Sequence, residues 1–138
     1  MRTLTLFPRM GDSSFEMGEK LAGRKLPDDF KAFMIANGGL SHYERIFISD
    51  SGTEWEVHTY LSNTEFYDLT KEFAETYTRK MVPFAMDPGG WHFCLCVEED
   101  DFGAVYVNRW TDYPPEEQFL KIADSFEAFI NGLRREEV

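Results

Sequence analysis

The most regular pattern of apolar and polar positions lies between residues 82 and 110. In its middle part apolar side chains recur at every second position, which places them on one face of an extended chain; these residues are Trp91, Phe93, Leu95 and Val97. Cys94 and Cys96 lie on the other face, and both are small and apolar enough to be buried. A short apolar run between turn residues is typical of a strand covered on both sides. The pattern therefore predicts a strand at residues 91–97.

The flanking residues predict a hairpin around this strand. Residues 82–86 are extended and lead into a tight turn at 87–90 (DPGG), which is rich in turn-forming residues. Residues 98–102 form an acidic turn, after which residues 103–109 alternate again as a second strand. We predict that this hairpin is the centre of a sheet.

Helical spacing, with apolar residues three or four positions apart, is clearest at residues 26–39 (LPDDFKAFMIANGG). Pro27 suits the first turn of a helix, and Gly38 and Gly39 supply a C-terminal cap. A weaker helical pattern precedes it at residues 15–21.

Two more helices are predicted later in the chain. Asn63 or Thr64 caps a helix that extends to about residue 79. A capping box at residues 124–127 precedes the apolar stripe of a closing helix, and Arg134 and Arg135 favour the negative end of that helix.

Two strands are predicted between the helices, at residues 43–49 and 54–61, joined by a turn at 50–52. The face of the second strand predicted to be buried consists of Trp55, Val57 and Thr59. Its other face carries Glu54, Glu56 and His58, which is typical of a half-buried strand with carboxylates in water.

Two shorter segments complete the predicted elements. Residues 2–7 predict either a short edge strand or an ordered tail, and residues 119–122 predict a brief strand. The order of elements indicates an α+β fold, in which a central antiparallel sheet packs with helices. A chain of 138 residues without linker or repeat is one domain, residues 1–138, and is long enough to bury a core.

The formal net charge of −11 changes the expected partners. Such a surface repels nucleic acid and attracts basic proteins, although solubility alone would also account for it. Two cysteines one residue apart make no disulfide framework, the first residues are too polar for a signal peptide, and no apolar run approaches the ~20 residues that span a bilayer. We expect a reduced, soluble, cytoplasmic protein without membrane contact.

Candidate chemistry is sparse. His92, Cys94 and Cys96 lie on one strand face, but side chains two positions apart are separated by ~6.5–7 Å, too far for one zinc ion. His42 and His58 lie on separate predicted elements. No catalytic constellation or nucleotide-binding fingerprint is present, so we expect neither an enzyme, nor a metal, nor a cofactor.

The remaining signal is a set of acidic clusters. Residues 44–75 contain eight acidic and two basic side chains, and further clusters occupy residues 98–101 and 112–117. An ordinary solvated face would have this pattern, but so would a surface that recognises a basic protein through acids and aromatic anchors. The candidate binding residues are Glu54, Trp55, Glu56, Glu98, Glu99, Asp100, Asp101, Trp110 and Asp112. For each tryptophan, a place in the core is favoured over a role as binding anchor.

Three blocks of this sequence resemble the SUKH superfamily. They are the phrase G-x-x-LP-D-D-F-x-x-F-x-x-x-N-G-G at residues 23–39, VPFAMDPGGWHFCL at residues 82–95 and IADSFEAFINGL at residues 122–133. The blocks occur in the family's order and span most of the chain.

The resemblance implies an α+β fold with a central antiparallel sheet, and no agreed catalytic residues. Bacterial members of the family are known chiefly as immunity proteins that neutralise polymorphic or contact-dependent toxins, many of them nucleases, and a fungal relative regulates cell-wall synthesis. We therefore expect an immunity protein that binds a basic toxin domain through its acidic face. The alternative is a non-catalytic regulatory scaffold that binds a host protein or small ligand. The oligomeric expectation is a monomer or weak dimer.

Overall fold

A computed structural model describes residues 1–109 and 113–136, in which eight strands form two antiparallel sheets. The helices are α1 (Glu16–Ala22), α2 (Asp28–Asn37), α3 (Asn63–Thr76) and α4 (Phe126–Asn131). The strands are β1 (Glu44–Ile48), β2 (Glu54–Glu56), β3 (Thr59–Tyr60), β4 (Met81–Met86), β5 (His92–Cys96), β6 (Val105–Asn108), β7 (Phe119–Ala123) and β8 (Arg134–Arg135). The predicted α+β class is confirmed. No helix in this part of the chain is long and apolar enough to cross a bilayer.

The larger sheet has the strand order β3-β4-β5-β6-β7, so the predicted hairpin does lie at its centre. The residues before it, expected only to be extended, form strand β4, which pairs with both β3 and β5. Pro83 stands inside this interior strand, where a residue without an N–H removes a ladder bond. The pairing of β4 with β5 is irregular between Pro83 and Ala85, and such irregularities are where sheets accommodate proline.

The smaller sheet has the order β2-β1-β8 and corrects the prediction of a single strand at residues 54–61. The N–H of Val57 donates to the Arg45 carbonyl at 2.8 Å, whereas the N–H of His58 donates to the Met86 carbonyl at 2.8 Å. Two consecutive residues therefore bond to different sheets, and the chain crosses between the sheets at this point.

The C-terminal end differs from expectation, and at residues 2–7 one of the two expected alternatives, the edge strand, is not formed. The closing helix ends at Asn131, and Arg134 and Arg135 form β8 against β1 instead of extending the helix. A Cβ added at Gly132 would lie 2.9 Å from the Phe47 ring, so the turn between α4 and β8 packs too closely on β1 for any other residue. Residues 2–7 form no strand, and their side chains are exposed.

Apolar side chains cover both faces of the larger sheet. One face carries the main core, where aromatic rings meet edge to face. Phe30 makes such contacts with Phe126 at 5.0 Å and Phe84 at 5.8 Å between ring centroids. The other face carries a smaller cluster that contains Cys94 and Cys96, both fully buried beneath Phe73 of α3. The predicted core role of the two cysteines is thereby confirmed.

Helix α3 is capped by the residue before the predicted one, Ser62. Its hydroxyl accepts from the N–H of Glu65 at 3.3 Å, and the Glu65 carboxylate accepts from the N–H of Ser62 at 3.0 Å. Asn63 instead accepts a hydrogen bond from Ser14, which ties the start of α3 to the turn before α1. The reciprocal pair between Ser62 and Glu65 satisfies two N–H groups that would otherwise lack partners.

Replacing Ser62 with alanine should lower the free energy of unfolding by about 0.5–2 kcal/mol, because the cap acceptor is lost. Urea denaturation measures the change. The matched control is Thr64→Ala, at an exposed position in the same turn. Its effect on stability should be smaller than about 0.5 kcal/mol, as is usual for surface substitutions. Equal losses in the two variants would contradict the capping role of Ser62, since alanine has the higher helix propensity and propensity alone would lower the stability of neither variant.

Candidate partner-binding surface

The acidic turn between β5 and β6 holds two of its four carboxylates in fixed contacts. Glu98 pairs with Arg79 at 2.8 Å, and Asp101 pairs with Lys121 of β7 at 3.1 Å. Asp101 also accepts the hydroxyl hydrogen of Tyr106. The ends of the turn are thus tied to three neighbouring elements of the fold.

The middle of the turn is free of such contacts. Glu99 and Asp100 are exposed, form one 3₁₀ turn with Asp101, and make no ion pair with any residue that the structure describes. Gly103 follows with a φ of 91°, a left-handed backbone conformation that glycine adopts without strain, and this lets the chain return into β6. The result is a rigid turn that presents two unneutralised carboxylates to solvent.

Titration of Asp101 controls this arrangement. The hydrogen bond from Tyr106, assisted by Lys121, lowers the pKa of Asp101 below its usual value. Burial and the same hydrogen bond raise the pKa of Tyr106, so the phenol keeps the proton that it donates. The ionised form of Asp101 is therefore the form that holds the turn closed.

Asp101→Asn should destabilise the fold by about 1 kcal/mol at neutral pH, since the contacts are partly solvated. A carboxylate with a lowered pKa stabilises the fold above the pKa of the unfolded chain, about 3.9, and this contribution is lost as pH falls through the folded value. The difference in free energy of unfolding between wild type and variant should therefore be largest at neutral pH and should decrease below about pH 4. Denaturation midpoints across this range check it, and a gap independent of pH would contradict the assignment.

The patch around Glu54 and Glu56 is less acidic than the sequence suggests. Glu54 is exposed, but Glu56 is half-buried with its carboxylate 3.3 Å from Arg45 Nε. The same guanidinium also pairs with Glu136. One predicted partner-binding carboxylate is thus already neutralised within the fold.

Strand β8 brings further cations to this patch. Arg134 lies opposite Ile46 on β1, and Arg135 lies opposite Glu44, with which it forms an ion pair at 3.0 Å. A groove of about 330 Å³ is lined by Ile46, Ile48, Glu54, Arg134, Arg135 and Glu136. The sequence pattern missed these arginines because it assigned them to the end of a helix.

Of the predicted aromatic anchors, the structure describes Trp55. Trp55 is 9% exposed, and its ring centroid lies 6.3 Å from that of the half-buried Trp91, so Trp55 supports β2 from the core. Trp110 and Asp112 lie outside the described residues.

The residues considered for chemistry are held in separate local contacts. Burial raises the pKa of the Cys94 and Cys96 thiols and lowers the pKa of His92, which favours the neutral form of each group. His42 Nε2 lies 2.8 Å from the Asn37 side-chain oxygen, and His58 is exposed. Across residues 1–109 and 113–136, no three histidine, cysteine or acidic side chains are grouped to hold a metal ion.

Comparison with known proteins adds one match. The family model described as SMI1-KNR4 cell-wall, of the SUKH superfamily, matches residues 12–130, which is most of the chain. The matched region runs from the turn before α1 to α4 and includes both sheets except β8. A search of curated proteins found no match.

Proposed function

This chain belongs to the SUKH superfamily, and on that premise we propose that it is an immunity protein that binds a cognate toxin domain and blocks it. The family's members are generally immunity or regulatory proteins without a catalytic role. The turn at residues 98–101 is the surface that supports this proposal best, because Glu99 and Asp100 have no neutralising partner among the described residues. We also propose that it acts in the cytoplasm.

A basic toxin domain, most simply a nuclease, fits this surface. A nuclease site that holds phosphate groups is positively charged, so paired carboxylates on a rigid turn present a comparable charge to it. The net charge of −11 attracts such a partner over a distance and speeds encounter, an effect that salt screens. Because Glu98 and Asp101 fix the turn, little conformational entropy is lost when a partner binds.

Within the proposed surface, we expect the turn at residues 98–101 to contribute more to binding than the patch around Glu54 and Glu56. Glu56 is paired with Arg45, and Glu54 faces the arginines of β8, so the strand patch offers a weaker field than the turn. Trp110 and Asp112 remain part of the proposal on the basis of the sequence alone.

Pull-down of the purified chain against a panel of polymorphic-toxin C-terminal domains tests the function, followed by rescue of cells that express the captured domain. We expect capture of one domain or a few related domains, and survival only when this chain is co-expressed. Capture without rescue would contradict neutralisation, and failure to capture any basic domain would contradict the proposed partner class.

A second candidate function follows from the description of the matching family model, which refers to the cell wall. In that case the chain is a regulatory scaffold that binds a host protein. Deleting the gene would then change cell-wall integrity in cells that carry no toxin, whereas an immunity protein would leave such cells unaffected.

A further inference from the structure

Residues 2–7 form an exposed apolar segment. Leu4 is 75% exposed and Leu6 is 81% exposed. These leucines alternate with Thr3 and Thr5, so in an extended chain they share one face. Pro8 then ends any strand that the segment can form. The flanking Arg2 and Arg9 make the segment positively charged on an otherwise acidic protein, and neither pairs with an acid among the described residues.

Among the described residues, strand β7 is an edge strand of the larger sheet. It is the last strand of the larger sheet, and β6 is the one described strand that pairs with it. The N–H of Arg109 donates to the Gln118 carbonyl at 2.7 Å. By the alternation of an antiparallel ladder, Phe119 and Lys121 therefore direct their N–H and C=O groups away from β6. Such an edge is a template for a further strand.

A groove runs beside this edge. It measures about 340 Å³ and lies between β7 and the turn at residues 49–51. Leu120 lines it and is 37% exposed. Asp50 and Asp124 also line it, and the Asp124 side chain is 89% exposed. Lys121 lines the groove as well and pairs with Asp124 at 3.3 Å, so Asp50 is the lining carboxylate without an ion pair among the described residues. The groove thus combines apolar side chains with a rim that has one more acid than base, to which the basic, leucine-bearing segment is complementary.

We propose that residues 2–7 of one copy add as a strand to β7 of a second copy. Leu4 and Leu6 then lie in the groove beside Leu120, and the flanking arginines lie towards the acidic rim. Reciprocal exchange of the two segments closes the assembly as a two-fold dimer, with no unpaired surface left to propagate. This interaction is separate from the proposed toxin contact and does not depend on it.

The segment leaves its own chain far from β7. The Met10 methyl group lies 3.3 Å from the Cβ position of Gly38, and the N–H of Gly39 donates to the Tyr60 carbonyl of β3 at 3.0 Å, so the segment leaves the fold beside β3. Four strand spacings separate β3 from β7, a distance of roughly 19 Å. The link from residue 7 to residue 10 spans at most about 11 Å. This distance favours an edge on another molecule over β7 of the same chain.

Sedimentation equilibrium and light scattering of the full chain test the exchange. Wild type should be dimeric in the micromolar to millimolar range, and Leu4→Glu/Leu6→Glu should be monomeric, because it places charge on the face that enters the groove. Thr3→Lys/Thr5→Lys is the control: it adds two charges to the other face, of the sign that suits the acidic rim, and should remain dimeric. All four substitutions lie in an exposed segment, so the fold is unaffected.

Two variants test the receiving edge. Leu120→Glu charges the groove. Lys121→Pro keeps the backbone bonds to β6 but removes an outward N–H, together with the side chain that pairs with Asp101 and Asp124. Both variants should be monomeric with an unchanged circular dichroism spectrum. If Lys121→Pro fails to fold, Leu120→Glu decides alone. A monomeric wild type, a dimeric Leu4→Glu/Leu6→Glu, a monomeric control, or a folded edge variant that stays dimeric would each overturn the proposal.

Discussion

Replacing Phe30 with alanine is expected to lower the free energy of unfolding by about 3–5 kcal/mol. Phe30 is fully buried, and its ring contacts four other aromatic rings of the core, those of Phe15, Phe66, Phe84 and Phe126. Phe30 lies on α2 and the four other rings come from α3, β4, α4 and the turn before α1, so a cavity here loosens the contacts among most of the fold. Guanidinium denaturation followed by tryptophan fluorescence measures the loss.

Ile35→Ala is the control for this measurement. Ile35 lies on the same helix but is 44% exposed. Its truncation removes little buried surface and should cost less than about 1 kcal/mol. If Phe30→Ala cost no more than this control, the aromatic cluster would not be the centre of the core.

Reversing the free carboxylates of the turn should have the largest effect on toxin binding. Glu99→Lys/Asp100→Lys is expected to slow association with a captured basic domain by about tenfold or more at low salt, and to flatten the dependence of the rate on salt. Neither side chain supports the fold, so stability should stay unchanged. Stopped-flow association at a series of salt concentrations gives both quantities.

The chain offers a control with the same change in net charge. Asp12 and Glu16 are exposed, lie outside the three acidic clusters, and make no ion pair with any residue that the structure describes. Asp12→Lys/Glu16→Lys should slow association only about twofold, through the overall field. Equal slowing in the two double variants would contradict a docking role for the turn at residues 98–101.

The elements that could be predicted from the sequence are those with long, local patterns. The alternation from Trp91 to Val97 and the i, i+3, i+4 stripe of α2 each repeat within one element. In both, the spacing of the apolar residues therefore predicts which side chains are buried. The crossing between sheets at residues 57–58 has no such local pattern. The alternation of side chains continues through Trp55, Val57 and Thr59 while the backbone changes sheet. An alternating pattern indicates which face of the strand a side chain lies on, but it does not indicate which neighbouring strand the backbone N–H bonds to.

The candidate surface was predictable only in part, for a related reason. The acidic turn is contiguous in sequence, so its charge could be read directly. The neutralisation of Glu56 and the approach of Arg135 to Glu44 depend on tertiary contacts, the second of them on a two-residue strand at residues 134–135 that is too short to have a periodic pattern. Contacts between residues about 90 positions apart are set by the tertiary fold.

Titration of a captured toxin domain with this protein tests the central claim, that the molecule acts by covering another protein, most directly. We predict that the toxin's enzymatic activity falls in proportion to added protein and reaches its floor at an equimolar ratio, with no substrate consumed by this protein itself. Full toxin activity in the presence of a molar excess, despite complex formation, would contradict the claim.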